Sequence, residues 1–174
     1  MNEGKRFEQD FQSSVPDYAL IYRLRDPAQS FGKNNNLRFS ARNPFDYLMW
    51  DSMNRNLYAL ELKSIKGNSI SFERSKDDRG DIHYYQIEGL NHWNKYPGII
   101  CGFVIEFRSF EKTIFLSIIE FNRLSNIIQK KSITLNDLEI YRIQYTIIPS
   151  RLVRTHFRYD LNSFIEQTKS NKNA

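Results

Sequence analysis

The chain has 174 residues and a mass of 20.8 kDa, which suits one domain with a core large enough to need neither disulfides nor a structural zinc. Its 40% hydrophobic content excludes a disordered chain; mean hydropathy is −0.59, and the longest apolar run, Pro97 to Val104, is strand-sized and far short of the ~20 residues of a membrane-spanning helix. The formal net charge of +5, from 25 Lys+Arg against 20 Asp+Glu, favours a polyanionic partner.

The N-terminal MNEGKRFEQDF is charged and lacks the apolar centre of a secretory signal, so a cytoplasmic protein with no membrane partner is expected. Phe7 and Phe11, four apart among Arg6, Glu8 and Asp10, predict a first helix that Pro16 stops. Tyr18 to Leu24 predicts a strand. Arg25 to Arg42 carries four positive residues (Arg25, Lys33, Arg38, Arg42) and one negative (Asp26). With Pro27, Gly32, three asparagines, Phe31 and Phe39, it reads as a basic loop or irregular hairpin. Phe45 to Trp50 and Leu57 to Ile65 are predicted strands joined by a turn, with a short apolar piece at Ile70 to Phe72. Asp81 to Asn94 predicts a helix with Ile82, Tyr85, Gln86, Gly89, Leu90 and Trp93 on one face. Ile99 to Phe107 and Thr113 to Ile119 read as a hairpin; the lone cysteine, Cys101, lies in its first arm and allows no disulfide framework or zinc ribbon, which fits a reduced compartment. Glu120 to Lys130 is a predicted helix, Asn136 to Glu139 a short one, Ile143 to Ile148 a final strand, and Asp160 the N-cap of a last helix to Gln167. The pattern is α/β: a mixed central sheet flanked by helices, without strict βαβ alternation. One domain is expected over 1–168, with 25–42 as an insertion and 169–174 as a flexible tail.

Neither a G-x-G-x-x-G nor a P-loop is present, so no nucleotide cofactor is expected. His83, His92 and His156 are too scattered for a standard zinc site. The informative residues are acidic. Asp46 precedes Glu61-Leu62-Lys63, and strand alternation puts Glu61 and Lys63 on one face with Leu60 and Leu62 on the other. A hairpin between the two strands brings Asp46 to Glu61. Two carboxylates and an ammonium suit Mg²⁺, an oxygen-seeking cation, and point to phosphodiester hydrolysis. The spacing alone is loose and better suits a solvated Glu–Lys pair on a half-exposed strand, worth ~0–1 kcal/mol. Gln86 stands on the apolar face of its helix, where an amide needs partners. It reads as a hydrogen-bonded core amide or as a group directed into the acidic cluster. His83 reads as structural, and Glu8 as a helix-face charge or a further carboxylate.

Asp46 followed by Glu61-x-Lys63 resembles the PD-(D/E)XK nuclease signature. The order of segments resembles the RecU-type Holliday junction resolvases: GKRFEQDF, NPFDY to LYALELKSIK, DIHYYQIEGL, GIICGFVIEF, then KKSITLNDLE and HFRYDLNSFIEQ. The resemblance implies a restriction-endonuclease-like fold, a homodimer, and Mg²⁺ dependence, with Mn²⁺ as a substitute. It also implies paired symmetric cleavage of four-way DNA junctions in recombination and repair. By that likeness Asp46, Glu61 and the Leu62 carbonyl hold the metal, Lys63 is the catalytic lysine, and Gln86 and Glu8 complete the site. The family's stalk corresponds to about 25–42 here, a shorter stretch fitting a phage-type member. Lys33, Arg38 and Arg42 suit phosphates there, and Phe31 and Phe39 suit base stacking. Two rival readings keep the fold: a nuclease acting on duplex DNA, and a non-catalytic DNA-binding recombination module.

Overall fold

A computed structural model of the chain describes residues 2–24 and 42–170. The architecture follows from strand β3 (Asn56–Ile65), buried along most of its length because both of its faces meet apolar layers. Tyr58, Leu60 and Leu62 enter one core; Ala59 enters the other. Among the described residues the main sheet runs β1 (Ala19–Arg23), β2 (Tyr47–Asp51), β3, β5 (Ile99–Phe107), β6 (Lys112–Ser117) and β8 (Thr146–Ile147). Only β3 and β5 pair in parallel within that order, and the crossover between them carries helix α2 (Tyr84–Trp93). The sheet is therefore mixed.

Helix α1 (Glu3–Gln12) lies on the Leu60 face. Asn2 caps it by accepting the Gly4 N–H at 3.1 Å, and Phe7 and Phe11 are buried against Tyr58, Phe115 and the last helix, α5 (Leu161–Ser170). The opposite face carries α2, α3 (Ile118–Ile127) and α4 (Leu135–Ile140), which close over Phe72, Phe103 and Phe121. Among the described residues two small pairs complete the fold: β4 (Ser69–Ser71) with β7 (Ser132–Thr134), and the ribbon of β9 (Ser150–Val153) with β10 (His156–Tyr159). No helix among the described residues is long and apolar enough to cross a membrane.

The expected elements are present, with boundary differences that have physical causes. Asp46 precedes β2 rather than lying in it. The strand expected over Thr113 to Ile119 ends at Ser117, whose hydroxyl accepts the Glu120 N–H at 3.2 Å and so starts α3 two residues early. The strand expected over Ile143 to Ile148 is only Thr146–Ile147, and the β9–β10 ribbon was not expected at all. Asp160 does cap α5, accepting from Ser163 N at 3.0 Å, and that helix reaches Ser170. Of the stretch read as a stalk, Arg42 is described; Phe31, Lys33, Arg38 and Phe39 lie outside the described residues.

Candidate active site

The β2–β3 ladder stops at Tyr47 opposite Leu60. Asp46 extends it by one residue: its N–H donates to Leu60 O at 3.1 Å, and its Oδ2 accepts the Leu62 N–H at 2.9 Å. The side chain thus takes a hydrogen bond that a further strand residue would have taken. In an extended strand a residue's N–H and C=O leave on the same edge, so the Leu62 carbonyl opens on the side where β2 has ended. Phe45, buried in the core beneath α2, anchors this segment, and Gly89 lets α2 approach it. A Cβ at Gly89 would collide with the Pro44 ring and fall within 3.0 Å of Pro44 Cα and O.

Glu61 is 2% exposed. Its Oε1 accepts Gln86 Nε2 at 2.5 Å and lies 3.0 Å from Lys63 Nζ. Its Oε2 is buried and receives no donor. Burial, and next the adjacent Asp46 charge, push the Glu61 carboxyl up to about 8 against the pull of Lys63. Burial also raises Asp46, held back by the Leu62 N–H, Lys63 and Arg23. A buried and a half-buried carboxylate thus face each other with one nearby ammonium, and an oxygen of Glu61 lacks a positive partner. A proton or a cation relieves that arrangement. The donor set is all oxygen, as a hard divalent ion requires. Among the described residues no group of three or more His, Cys, Asp or Glu is placed to hold a metal, so the protein side chains on offer are these two.

Gln86 reaches the site because of its place in α2. At the third helical position its Oε1 accepts the His83 N–H at 2.9 Å, which fixes the amide and turns Nε2 toward Glu61. His83 itself turns away: its Nδ1 lies 2.9 Å from Glu73 Oε1, the structural role expected of it. Glu8 is not a third member of the acid pair. It lies on α1, 2.8 Å from Arg23 Nη2 and hydrogen-bonded to the Tyr47 hydroxyl. Burial raises its carboxyl, and Asp46 contributes to the rise, so the two charges sense one another while Arg23 opposes it. Arg42 stacks over the Tyr85 ring with its guanidinium carbon 5.4 Å from the centroid.

Sequence reasoning missed Arg23 and Tyr47. Both signals were present: Arg23 ends an apolar strand as a lone cation, and Tyr47 follows Asp46. The β1–β2 register pairs them directly.

No family model matches the chain. It is 34% identical over 132 residues to the SPbeta prophage-derived uncharacterized protein YotM of Bacillus subtilis (strain 168), a match covering 75% of this chain. The chain spans 63% of that protein's length. Among solved structures it is similar to Hjc of Archaeoglobus fulgidus, a Holliday junction resolvase from an archaeal hyperthermophile. The TM-score is 0.50 with 14% identity, over 79% of this chain and 93% of that one. At that identity the likeness is one of fold: the mixed sheet flanked by helices is restriction-endonuclease-like.

Proposed function

We propose that the chain is a divalent-metal-dependent endodeoxyribonuclease that cuts branched DNA, acting as one nuclease domain over 1–168 in a homodimer. The observation that carries this reading is the orphaned Glu61 Oε2 beside Asp46, with Lys63 on the other oxygen of the same carboxylate. Most buried polar atoms of a fold have a hydrogen-bond partner, so an unpartnered carboxylate oxygen beside a second carboxylate favours a bound cation over a structural ion pair. The neighbour of like fold resolves Holliday junctions, and the basic charge suits a polyanion.

Asp46, Glu61 and the Leu62 carbonyl would hold Mg²⁺, with Mn²⁺ as a substitute. An ion held there would supply a Lewis acid able to lower the pKa of a water and polarise a phosphodiester. The remaining work falls to side chains of this chain. Lys63 has three N–H donors, one spent on Glu61; the other two hold a phosphate oxygen or the attacking water and offset the charge that develops on phosphorus. Gln86 locks the rotamer of Glu61, and the Leu62 N–H locks Asp46. Glu8 sets the local field through Asp46 rather than sharing the ion. A four-way junction is two-fold symmetric, so a C₂ pair of such sites supplies two matched nicks. Residues 25–42, basic and aromatic, contact the junction and confer its selectivity.

The test compares a labelled four-way junction with a matched linear duplex, in Mg²⁺ or EDTA. Paired nicks in the junction alone, lost in EDTA, are expected. Equal cutting of both substrates would assign the chain to duplex nucleases instead. Binding without cutting in any metal would leave a non-catalytic module.

A further inference from the structure

The β9–β10 ribbon carries a charge arrangement that the fold alone does not account for. Its register places Arg158 directly opposite Arg151. Directly opposed residues of an antiparallel pair share a face, with Cβ atoms about 5 Å apart, so two guanidinium groups stand side by side. Arg154 occupies the turn between the strands, at a left-handed φ of 59°. None of the three makes an ion pair among the described residues; the nearest thing to a partner is the Phe157 carbonyl, 3.5 Å from Arg158 Nη1. Like charges in that register destabilise a two-stranded ribbon.

Arg151 and Arg158 also line an open concavity of about 430 Å³ with Ser150, Asp160 and Asn162. The one acid lining it, Asp160, accepts the Ser163 N–H at 3.0 Å and the Ser163 hydroxyl at 2.6 Å, which hold it charged. Two positive charges against one leave the hollow net positive.

The ribbon is braced as a rigid arm. Its inward face, Phe157 and Tyr159, packs on Phe7 and Phe11 of α1. Asp10, 2% exposed, lies 2.7 Å from His156 Nδ1 and accepts the Phe157 N–H at 2.8 Å; Arg6 of the same helix donates to the Thr155 carbonyl. Two residues from Asp10, Glu8 contacts Arg23 and Tyr47 beside Asp46. One helix thus touches both the ribbon and the surroundings of the acid pair.

We propose that the outer face of the β9–β10 ribbon is a second, sequence-independent binding site for the phosphodiester backbone of DNA. Arg151 and Arg158 grip a phosphate in the hollow at the ribbon's base, and Arg154 reaches a further phosphate from its tip. The ligand is nucleic-acid phosphate because paired guanidinium groups match its oxygens in a fork and gain from releasing its counterions. This inference rests on the nuclease reading above for the identity of the polyanion as DNA.

The experiment measures binding of the full-length protein to a four-way junction and to a duplex in EDTA, over a range of salt, for wild type and Arg151→Gln/Arg158→Gln. The slope of log K against log [salt] should shrink by about 1 for both DNAs, for the one phosphate that the pair neutralises. The thermal midpoint of the free variant should hold or rise, since a like-charge pair has been removed. An unchanged salt slope overturns the proposal. So does a drop in slope accompanied by a fall in the thermal midpoint, because the arginines would then be structural. Cleavage in Mg²⁺ separates the two readings. Wild-type cutting with an unchanged variant slope sinks the ribbon site and spares the nuclease. A reduced slope with no cutting in any metal keeps the ribbon as a DNA site and sinks the nuclease.

Discussion

Gln86 Nε2 stands 2.5 Å from Glu61 Oε1, tying the first turn of α2 to the middle of β3. The same amide caps α2 through His83 N–H, so one side chain holds both the helix start and the carboxylate. Gln86→Leu removes both bonds. Folding stability measured by urea denaturation should fall by about 1–3 kcal/mol, the cost of leaving buried polar groups unmatched. Cleavage should fall about 10–100-fold, the range for groups that orient metal ligands, with DNA binding in EDTA retained. Gln86→Leu cleaving at the wild-type rate would show that the amide only caps the helix.

The Glu61 carboxyl predicts a pH dependence with a definite sign. Its pKa is raised from 4.5 to about 8 on folding, chiefly by burial, so between those values the folded state holds more protons than the unfolded one. Stability contributed by the neutral form is complete below the unfolded pKa and is lost as pH rises through the folded one. In EDTA the thermal midpoint of wild type should therefore drop between about pH 5 and 9 more steeply than that of Glu61→Gln, which has nothing to ionise there. Mg²⁺ or Mn²⁺ should restore the wild-type midpoint at high pH and leave Glu61→Gln unmoved. Parallel pH profiles would mean that the buried carboxylate is compensated by something other than a proton or a cation.

Lys63 is the cation nearest the acid pair, and its role separates from folding. Lys63→Met keeps the aliphatic stem and removes the donors. Cleavage should fall by about 10²–10³, as for loss of a preorganised charge-stabilising donor. Divalent-ion stabilisation of the fold should persist, because the two carboxylates remain. Loss of ion binding with loss of cleavage would place Lys63 in metal-site assembly rather than in the chemistry.

Gly89→Ala tests the packing that positions Asp46. In an exposed helix the change gains about 1 kcal/mol. Here the added methyl meets Pro44, two residues before Asp46, so overpacking of about 1–3 kcal/mol should outweigh the gain. Chemical denaturation should show net destabilisation, and cleavage should fall because α2 and the Asp46 segment are forced apart. A more stable, fully active variant would mean that the segment yields without displacing the carboxylate.

Much of this site was legible because strand alternation is a strict rule: Glu61 and Lys63 had to share a face once β3 was recognised. Gln86 betrayed itself as an amide on an apolar helical face. The start of α3 was legible in principle, since Ser117 and Glu120 form the serine-to-acid spacing of an N-cap, but Ile118 and Ile119 continue the apolar run and hid it. Their burial then diverges, Ile118 at 0% and Ile119 at 60%, as one turn of a helix requires. The β9–β10 ribbon was illegible for a different reason. Its turn uses Arg154 at positive φ where glycine or asparagine gives the usual signal, β9 (Ser-Arg-Leu-Val) has no apolar alternation, and β10 alternates over only four residues. The contact of Glu8 with Arg23 rather than with the acid pair depends on β1–β2 register, which the sequence pattern does not encode.

If the Asp46–Glu61 pair is a hydrolytic centre, cutting and binding separate at Glu61. Both are followed together on one labelled four-way junction, for wild type and Glu61→Gln in Mg²⁺. Wild type should nick the junction, and Glu61→Gln should bind it with equal affinity yet leave it intact. A Glu61→Gln protein that still cuts at the wild-type rate, or a wild type that never cuts in Mg²⁺ or Mn²⁺, would contradict that role of the pair.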